Sequence, residues 1–246
     1  MNISFENKNV LVTGAGQGIG KAVVKAFVKY KASKVYALSK TKENLDKLVS
    51  EESTVIPIVV DLSDWEATKN ALKCIQEPID VLCNNAGIYI AESFLEVKPE
   101  SIDTQFNVNF KSIICVSQIV AKGMIESKRG GSIINVSSQA SKIALQDHTV
   151  YSATKAAIDA TTRAMALELG KFNIRVNAVN PTVVMTDMGR LGWSDPQKAA
   201  PLLNRIPLHK FADTEDVVNT IIFLASDKAG MINATNIPIE GGILAT

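Results

Sequence analysis

"NVLVTGAGQGIG", residues 9–20, begins as a run of β-branched and apolar residues, breaks into glycines at 14, 16, 18 and 20, and passes into a helical pattern. A buried strand that ends in a glycine turn and feeds a helix opens a βα unit. The N-terminus of such a helix, with unpaired amides and the positive end of its dipole, suits a pyrophosphate. Gly14 permits the sharp turn off the strand, Gly18 lets backbone approach a phosphate, and Gly20 permits close helix packing. A glycine cluster alone is a weak signal. Its place directly after an N-terminal strand, with the next strand about 20 residues on, makes it a dinucleotide site.

Further short β-branched runs follow at 34–39, 54–61, 80–87, 132–138 and 174–181, separated by amphipathic stretches such as 18–31, 64–76 and 151–169. Near-continuous apolar strands are buried on both faces, which marks a parallel sheet covered by helices. The expected architecture is α/β: a single-domain, doubly wound parallel (Rossmann) sheet over 1–246 with helices on both faces. No linker, repeat or low-complexity segment interrupts it. An irregular excursion is expected near 185–212, whose apolar tips Met185, Met188, Leu191 and Trp193 would cover a site.

The balance of charge narrows the partners. Lys plus Arg number 26 against 25 Asp plus Glu, so no global field draws the chain to nucleic acid or an anionic membrane. A small-molecule partner fits better. Cys74, Cys83 and Cys115 are widely spaced and odd in number, which argues for reduced thiols rather than disulfides or a zinc site. No metal is expected. The start shows no leader pattern, and no apolar stretch approaches the roughly 20 residues that span a bilayer. The expected location is the cytoplasm.

The residue after the second strand selects the cofactor. An NAD site wants a carboxylate there, but the chain reads "ALSKTKE": Ser39 can bond, and Lys40 can pair with, a 2′-phosphate. NADP(H) is therefore expected, against the plainer reading of Lys40 as a solvated helix start. Asp61, closing the third strand, suits the adenine amino group, or else caps the following helix.

At 150–155 stands "VYSATK", with Tyr151 placed one residue outside a helix start and Lys155 four positions later on the same face. That spacing brings a phenol and an ammonium to one point, which suits proton transfer. Other polar residues past the strand ends are Asn84 and Asn85, Ser137, Ser138 and Gln139, and Asn180 with Thr182. The glycine turn, "NNAG" at 84–87, the serine after the fifth strand and Tyr-x-x-x-Lys, in this order, resemble the short-chain dehydrogenase/reductase family over essentially the full chain. The resemblance implies a catalytic set of Asn109, Ser138, Tyr151 and Lys155. It also implies cofactor contacts from Gly14, Gln17, Gly18, Ile19, Gly20, Ser39, Lys40, Thr41, Asp61, Leu62, Asn85, Ala86, Gly87, Pro181, Val184 and Thr186 as well as Tyr151 and Lys155.

Within the family, "VVDLSDWEAT", "NVSSQ", "RVNAVNPTVVMT" and "LNRIPL" are similar to a group of NADPH-dependent, usually homotetrameric reductases of L-xylulose and vicinal dicarbonyls such as diacetyl. That resemblance implies a substrate pocket of Ser138, Gln139, Leu145, His148, Tyr151 and Trp193. Gln17 departs from the basic residue common in the group's glycine turn, and the C-terminal "GGILAT" also differs. The implied chemistry has Tyr151 giving a proton to the substrate oxygen, Lys155 lowering the phenol's pKa, Ser138 bonding the carbonyl and Asn109 fixing a water. The rivals are a 3-oxoacyl or steroid reductase of the same family, and a non-enzymatic dinucleotide sensor.

Overall fold

The computed structural model describes residues 2–186, 189–190 and 193–246. Its frame is one sheet of seven strands: β1 (Asn9–Thr13), β2 (Lys34–Ser39), β3 (Val55–Val59), β4 (Val81–Asn84), β5 (Gly131–Val136), β6 (Ile174–Pro181) and β7 (Asn236–Ile239). The order is β3-β2-β1-β4-β5-β6-β7, and every pairing is parallel. Around it lie α1 (Gly18–Lys29), α2 (Lys42–Glu51), α3 (Trp65–Leu72), α4 (Pro99–Phe106), α5 (Ser112–Ser127), α6 (Thr149–Leu169), α7 (Pro196–Leu203) and α8 (Thr214–Ala225).

Alternation along the strands explains the layers. Val10 pairs with Val35 and Val81, and with Val12, Ala37 and Cys83 these side chains pack against α1, α2 and α8 through Val23, Phe27, Leu45 and Ile221. Leu11, paired with Tyr36 and Leu82, points the other way with Leu38 and Ile133, toward Leu72 of α3, Val116, Val120 and Met124 of α5, and Ala166 of α6. Successive strand residues face opposite sides, so an unbroken apolar strand needs helices on both. Each fully buried aliphatic side chain contributes roughly 1.5–3 kcal/mol against chain entropy. The two edges carry Pro57 in β3 and Pro238 in β7. Proline lacks the amide a further strand would use, which discourages pairing beyond the sheet.

Several expectations need correction. A seventh strand, β7, was not expected, because its residues are mostly half-buried and form no apolar run. The excursion at 185–212 is not wholly irregular, since α7 lies inside it; of its expected tips, Met188 and Leu191 fall outside the described residues. Helix α6 starts at Thr149 with His148 as its N-terminal flanking residue, so Tyr151 is inside the first turn rather than before it.

An apolar segment of membrane-spanning length also exists. Pro99–Ser127, comprising α4, a π-helical turn at Asn107–Lys111 and α5, is 29 residues long with a mean hydropathy of 1.3 in its most apolar window. Half of that window is buried inside the protein, which is how a core helix packed on a sheet behaves.

Strand order reverses between β1 and β4: the chain builds outward to β3 on one side, then crosses to β4 on the other. The loops after β1 and β4 therefore diverge and leave a crevice beyond the strand ends, where ligands of such sheets lie.

Candidate active site

The glycine turn is crowded where the expectation required it. Gly14 takes φ +65° and Gly18 φ +54°, backbone that side-chain-bearing residues rarely adopt. A Cβ on Gly20 would fall 2.2 Å from the Gly14 carbonyl oxygen and 2.5 Å from Asn85 Nδ2. Asn85 Nδ2 donates to the Thr13 and Gly14 carbonyls at 3.1 and 3.2 Å, while the Asn85 and Ala86 amides donate to Thr13 Oγ1 at 3.0 and 3.1 Å. The ends of β1 and β4 are thus stitched together. This gives Asn85 and Ala86 a structural task that spacing alone did not reveal.

Space opens on the other side of the turn. A Cβ on Gly18 would meet nothing nearer than the Thr186 methyl at 3.4 Å, and one on Gly16 would lie 2.9 Å from Ser39 Oγ. The structure therefore brings Gly18 and Thr186 face to face and seats Ser39 under the turn. Gln17 is exposed as the flanking residue of α1, Ile19 packs on the core, and Lys40 is exposed just past β2. Thr41 precedes α2, and its amide donates to Ser39 Oγ at 3.4 Å.

Asp61 is exposed and accepts from the Ser63 amide at 2.9 Å; Asp64 caps α3 instead, accepting from the Ala67 amide. The Ser63 amide, and more weakly nearby Lys40, hold the Asp61 carboxyl below its ordinary range. Leu62, Pro181 and Val184 are buried, Val184 bridging to Ala212. A cradle that side chains would fill, next to a helix N-terminus, fits the pyrophosphate of a nicotinamide dinucleotide.

At the reacting end, α6 acts as a ruler. Lys155 is buried, its Nζ donates to the Val136 carbonyl at 2.8 Å, and it lies 5.5 Å from the Tyr151 ring centroid. Asn109, in the π-helical turn, is fully buried. Its Nδ2 donates to the Ile88 carbonyl (2.9 Å) and Thr154 Oγ1 (3.1 Å), and its Oδ1 accepts from the Ile88 amide (2.8 Å). π-Helical turns recur at functional sites because they push one residue out of helical register. Gly87 stands beside both groups: a Cβ there would be 3.4 Å from Lys155 Nζ and 3.5 Å from Asn109 Oδ1.

Ser138 is fixed from below. Its Oγ accepts from the Ala140 amide at 3.1 Å, and its carbonyl accepts from Asn180 Nδ2 (3.2 Å) and lies 2.8 Å from the oxygen of Ser141, whose single hydroxyl proton goes to Asp159. The Asp159 carboxylate, buried on α6, accepts from Asn180 Nδ2 and Ser141 Oγ and pairs with Lys142. Sequence reasoning did not single out Asp159. The available signal was a carboxylate four residues after Lys155 on the buried face of the same helix.

Burial sets the proton affinities. It holds the Tyr151 phenol above its ordinary value, with the neighbouring Ser138 hydroxyl pulling the other way, and pushes the Lys155 ammonium down to about 8. The expected lowering of Tyr151 by Lys155 is not what sets the phenol here: burial raises it, and the Ser138 hydroxyl is what opposes the rise. Tyr151 accordingly stays protonated across the neutral range, the state a proton donor needs.

Of the expected substrate residues, Ser138, Tyr151 and His148 gather at one place, the His148 and Tyr151 rings 6.0 Å apart. Gln139 is buried with its Oε1 unpartnered among the described residues. Leu145 and Trp193 belong to a separate apolar cluster with Met185 and Phe211, the Trp193 and Phe211 rings 5.6 Å apart. Among the described residues, no group of three or more His, Cys, Asp or Glu stands together as a metal site. Cys83 and Cys115 are buried and Cys74 is exposed, all free. Burial pushes the Cys83 thiol up to about 12, so it is unreactive.

The crowding at Gly20 has a measurable consequence. Gly20→Ala should lower stability by about 1–3 kcal/mol, the cost of overpacking against backbone that cannot give. By shifting the turn it should also weaken dinucleotide binding about tenfold. Thermal unfolding and a fluorescence titration with the dinucleotide read the two effects; wild-type values for both would contradict this packing.

With this geometry in hand, the relatives are informative. The family model for short chain dehydrogenase matches residues 8–196. An L-xylulose reductase of Mus musculus is 55% identical over 246 residues, covering 100% of each chain. A D-erythrulose reductase of Gallus gallus is 50% identical over 245 residues, covering 100% of this chain and 99% of its own. Among solved structures, a gluconate 5-dehydrogenase from Burkholderia cenocepacia in complex with NADP and tartrate superposes with a TM-score of 0.92 at 25% identity, covering 100% of this chain and 98% of that one. With the family pattern running through most of its length, and end-to-end relatives at half identity or better, the chain belongs to the short chain dehydrogenase family.

Proposed function

We propose that this chain, acting over residues 1–246 as one catalytic domain, is an oxidoreductase that uses NADPH to reduce small polar ketones, L-xylulose first and vicinal dicarbonyls such as diacetyl next. The observation that carries the reading is the meeting of Ser138, Tyr151 and Lys155 at the carboxyl ends of the strands, next to a glycine cradle. The named activities of the relatives support it: L-xylulose and D-erythrulose are both short polyhydroxy ketones. The odd number and wide spacing of Cys74, Cys83 and Cys115 support a reducing, cytoplasmic location, and the group resemblance supports a homotetramer.

The nicotinamide, when bound, supplies the hydride; the chain supplies everything else. Gly14, Gly18 and Gly20 with the start of α1 would hold its pyrophosphate, flanked by Gln17, Ile19 and Thr186, with Val184 and Pro181 behind. Ser39, Lys40 and Thr41 would take the ribose phosphate, Asp61 and Leu62 the adenine, and Asn85, Ala86 and Gly87 the floor of the crevice. Ser138 Oγ donates to the substrate carbonyl oxygen as it gains charge, and Tyr151 gives its proton to the same oxygen. The Lys155 ammonium would steady the phenolate left behind and would hold the nicotinamide ribose when the cofactor is bound, while Asn109, anchored at both ends of its amide, would orient a water toward Lys155.

A sensor has no use for this proton apparatus, which sets the non-enzymatic rival aside. The unpartnered Gln139 Oε1 and the His148 imidazole leave a 3-oxoacyl or steroid chain with polar groups it cannot satisfy, each mismatch costing on the order of 1–3 kcal/mol. A substrate panel with NADPH, followed at the nicotinamide absorbance, tests the assignment. Efficient turnover of a steroid or long acyl ketone, with xylulose and diacetyl untouched, would overturn it.

Two variants test the parts. Tyr151→Phe should bind NADPH as the wild type does but lose about 10²–10⁴ in kcat, the usual range for a removed proton donor; retention of most activity would contradict the role of Tyr151. Lys40→Asp should raise KM for NADPH by about tenfold or more, through loss of a charge-assisted phosphate contact, and narrow the preference over NADH. Equal efficiency of the unmodified protein with both cofactors would contradict the phosphate assignment.

A further inference from the structure

Tyr89 lies in the irregular chain after β4, and its ring forms a corner with two residues of the candidate site. It stacks on His148 with centroids 4.2 Å apart and planes 23° apart, and stands edge-on to Tyr151 at 5.5 Å and 72°. Its hydroxyl donates to the Asp147 carbonyl at 3.3 Å, and the Glu92 amide reaches that same carbonyl at 3.4 Å. The segment after β4 is thereby docked on the segment before α6. Tyr89 nonetheless stays 42% exposed, so it borders the open part of the site rather than lying sealed in the core.

The contacts also decide which nitrogen of His148 carries the proton. Nδ1 is 2.5 Å from the Gln146 carbonyl and 3.2 Å from the Tyr89 hydroxyl oxygen. A carbonyl only accepts, so Nδ1 must be the protonated nitrogen, and the Tyr89 oxygen, whose own proton goes to Asp147, offers it a second lone pair. In the neutral imidazole Nε2 is then a bare acceptor, and it has no hydrogen-bond partner among the described residues. An acceptor bonds a hydroxyl and gains nothing from a second carbonyl.

We infer that Tyr89 is a specificity-determining residue: by stacking on His148 and holding its Nδ1 side, it presents Nε2 as an acceptor that selects hydroxylated ketones over dicarbonyls. The inference rests on the ketone-reductase reading of the site and narrows its substrate class. Tyr89 acts through His148, not on the reacting atoms, so it is a positioning residue. Its signature is a change in KM that depends on the substrate's hydroxyls.

The test has two arms. In the first, ¹⁵N NMR of the wild-type protein above the imidazole titration should show the His148 proton on Nδ1; a proton on Nε2 would overturn the inference. This arm needs no substrate and decides the point even where the substrate assignment fails. In the second, Tyr89→Ala should raise KM for xylulose about tenfold with kcat little changed, leave diacetyl kinetics near wild type and keep NADPH affinity, whereas Tyr89→Phe, which retains the stack, should keep most of the xylulose affinity. An unchanged xylulose KM in Tyr89→Ala, or equal losses with xylulose and diacetyl, would overturn it. Wild-type protein inert toward both substrates would instead overturn the proposed function.

Discussion

A positive charge buried at the end of the sheet is the constraint around which the site is arranged. Lys155 is 3% exposed, and its ammonium is held by the Val136 carbonyl where β5 ends. Desolvation makes that charge costly, which is why its proton leaves at about 8, with Asp159 opposing the shift. The unfolded chain binds the proton up to the ordinary 10.5, so between about 8 and 10.5 it carries more protons than the folded chain. Stability contributed by this residue therefore rises with pH across that window, and at neutral pH the charge is a burden on the fold. A protein retains such a burden where the charge has work to do, and here it lies beside the Tyr151 phenol.

From that anchor, polar side chains on α6 at three- and four-residue spacing reach successive layers of the sheet. Thr154 Oγ1 accepts from Asn109 and donates to the Tyr151 carbonyl, tying the π-helical turn to the first turn of α6. Asp159 gathers Asn180, Ser141 and Lys142 beneath Ser138. Thr162 accepts from Asn135, which accepts from Asn84, which also donates to Ser117 of α5. This seam joins α6 through β5 and β4 to α5. Buried polar groups joined this way set one register of helix on sheet, because any slip strands several donors and acceptors at about 1–3 kcal/mol each.

Much of this was legible in the chain. Six of seven strands follow from apolar runs, since a strand buried on both faces has no polar period to hide it. Gly14, Gly20, Tyr151 and Lys155 could be singled out from a glycine turn placed after a strand and from an i, i+4 pair, whereas Ser138 was separated from its neighbours Ser137 and Gln139 only by the family resemblance. What escaped has a common cause. Strand β7, "NIPI", is a half-buried edge, and Tyr89 and Asp159 meet their partners only through tertiary contacts. The direction of the Tyr151 shift escaped for a related reason: spacing shows which groups are near, but desolvation depends on what covers them.

The most direct test of this account is the ionisation of Lys155 itself. Lysine labelled with ¹³C at the ε-carbon, with Lys155→Met as the assignment control, gives the titration of that one side chain in the folded, cofactor-free protein. The account predicts a midpoint near 8. A midpoint at the ordinary 10.5 would show that the ammonium is solvated, and the buried charge on which the arrangement of α6, Ser138 and Tyr151 is argued would not exist.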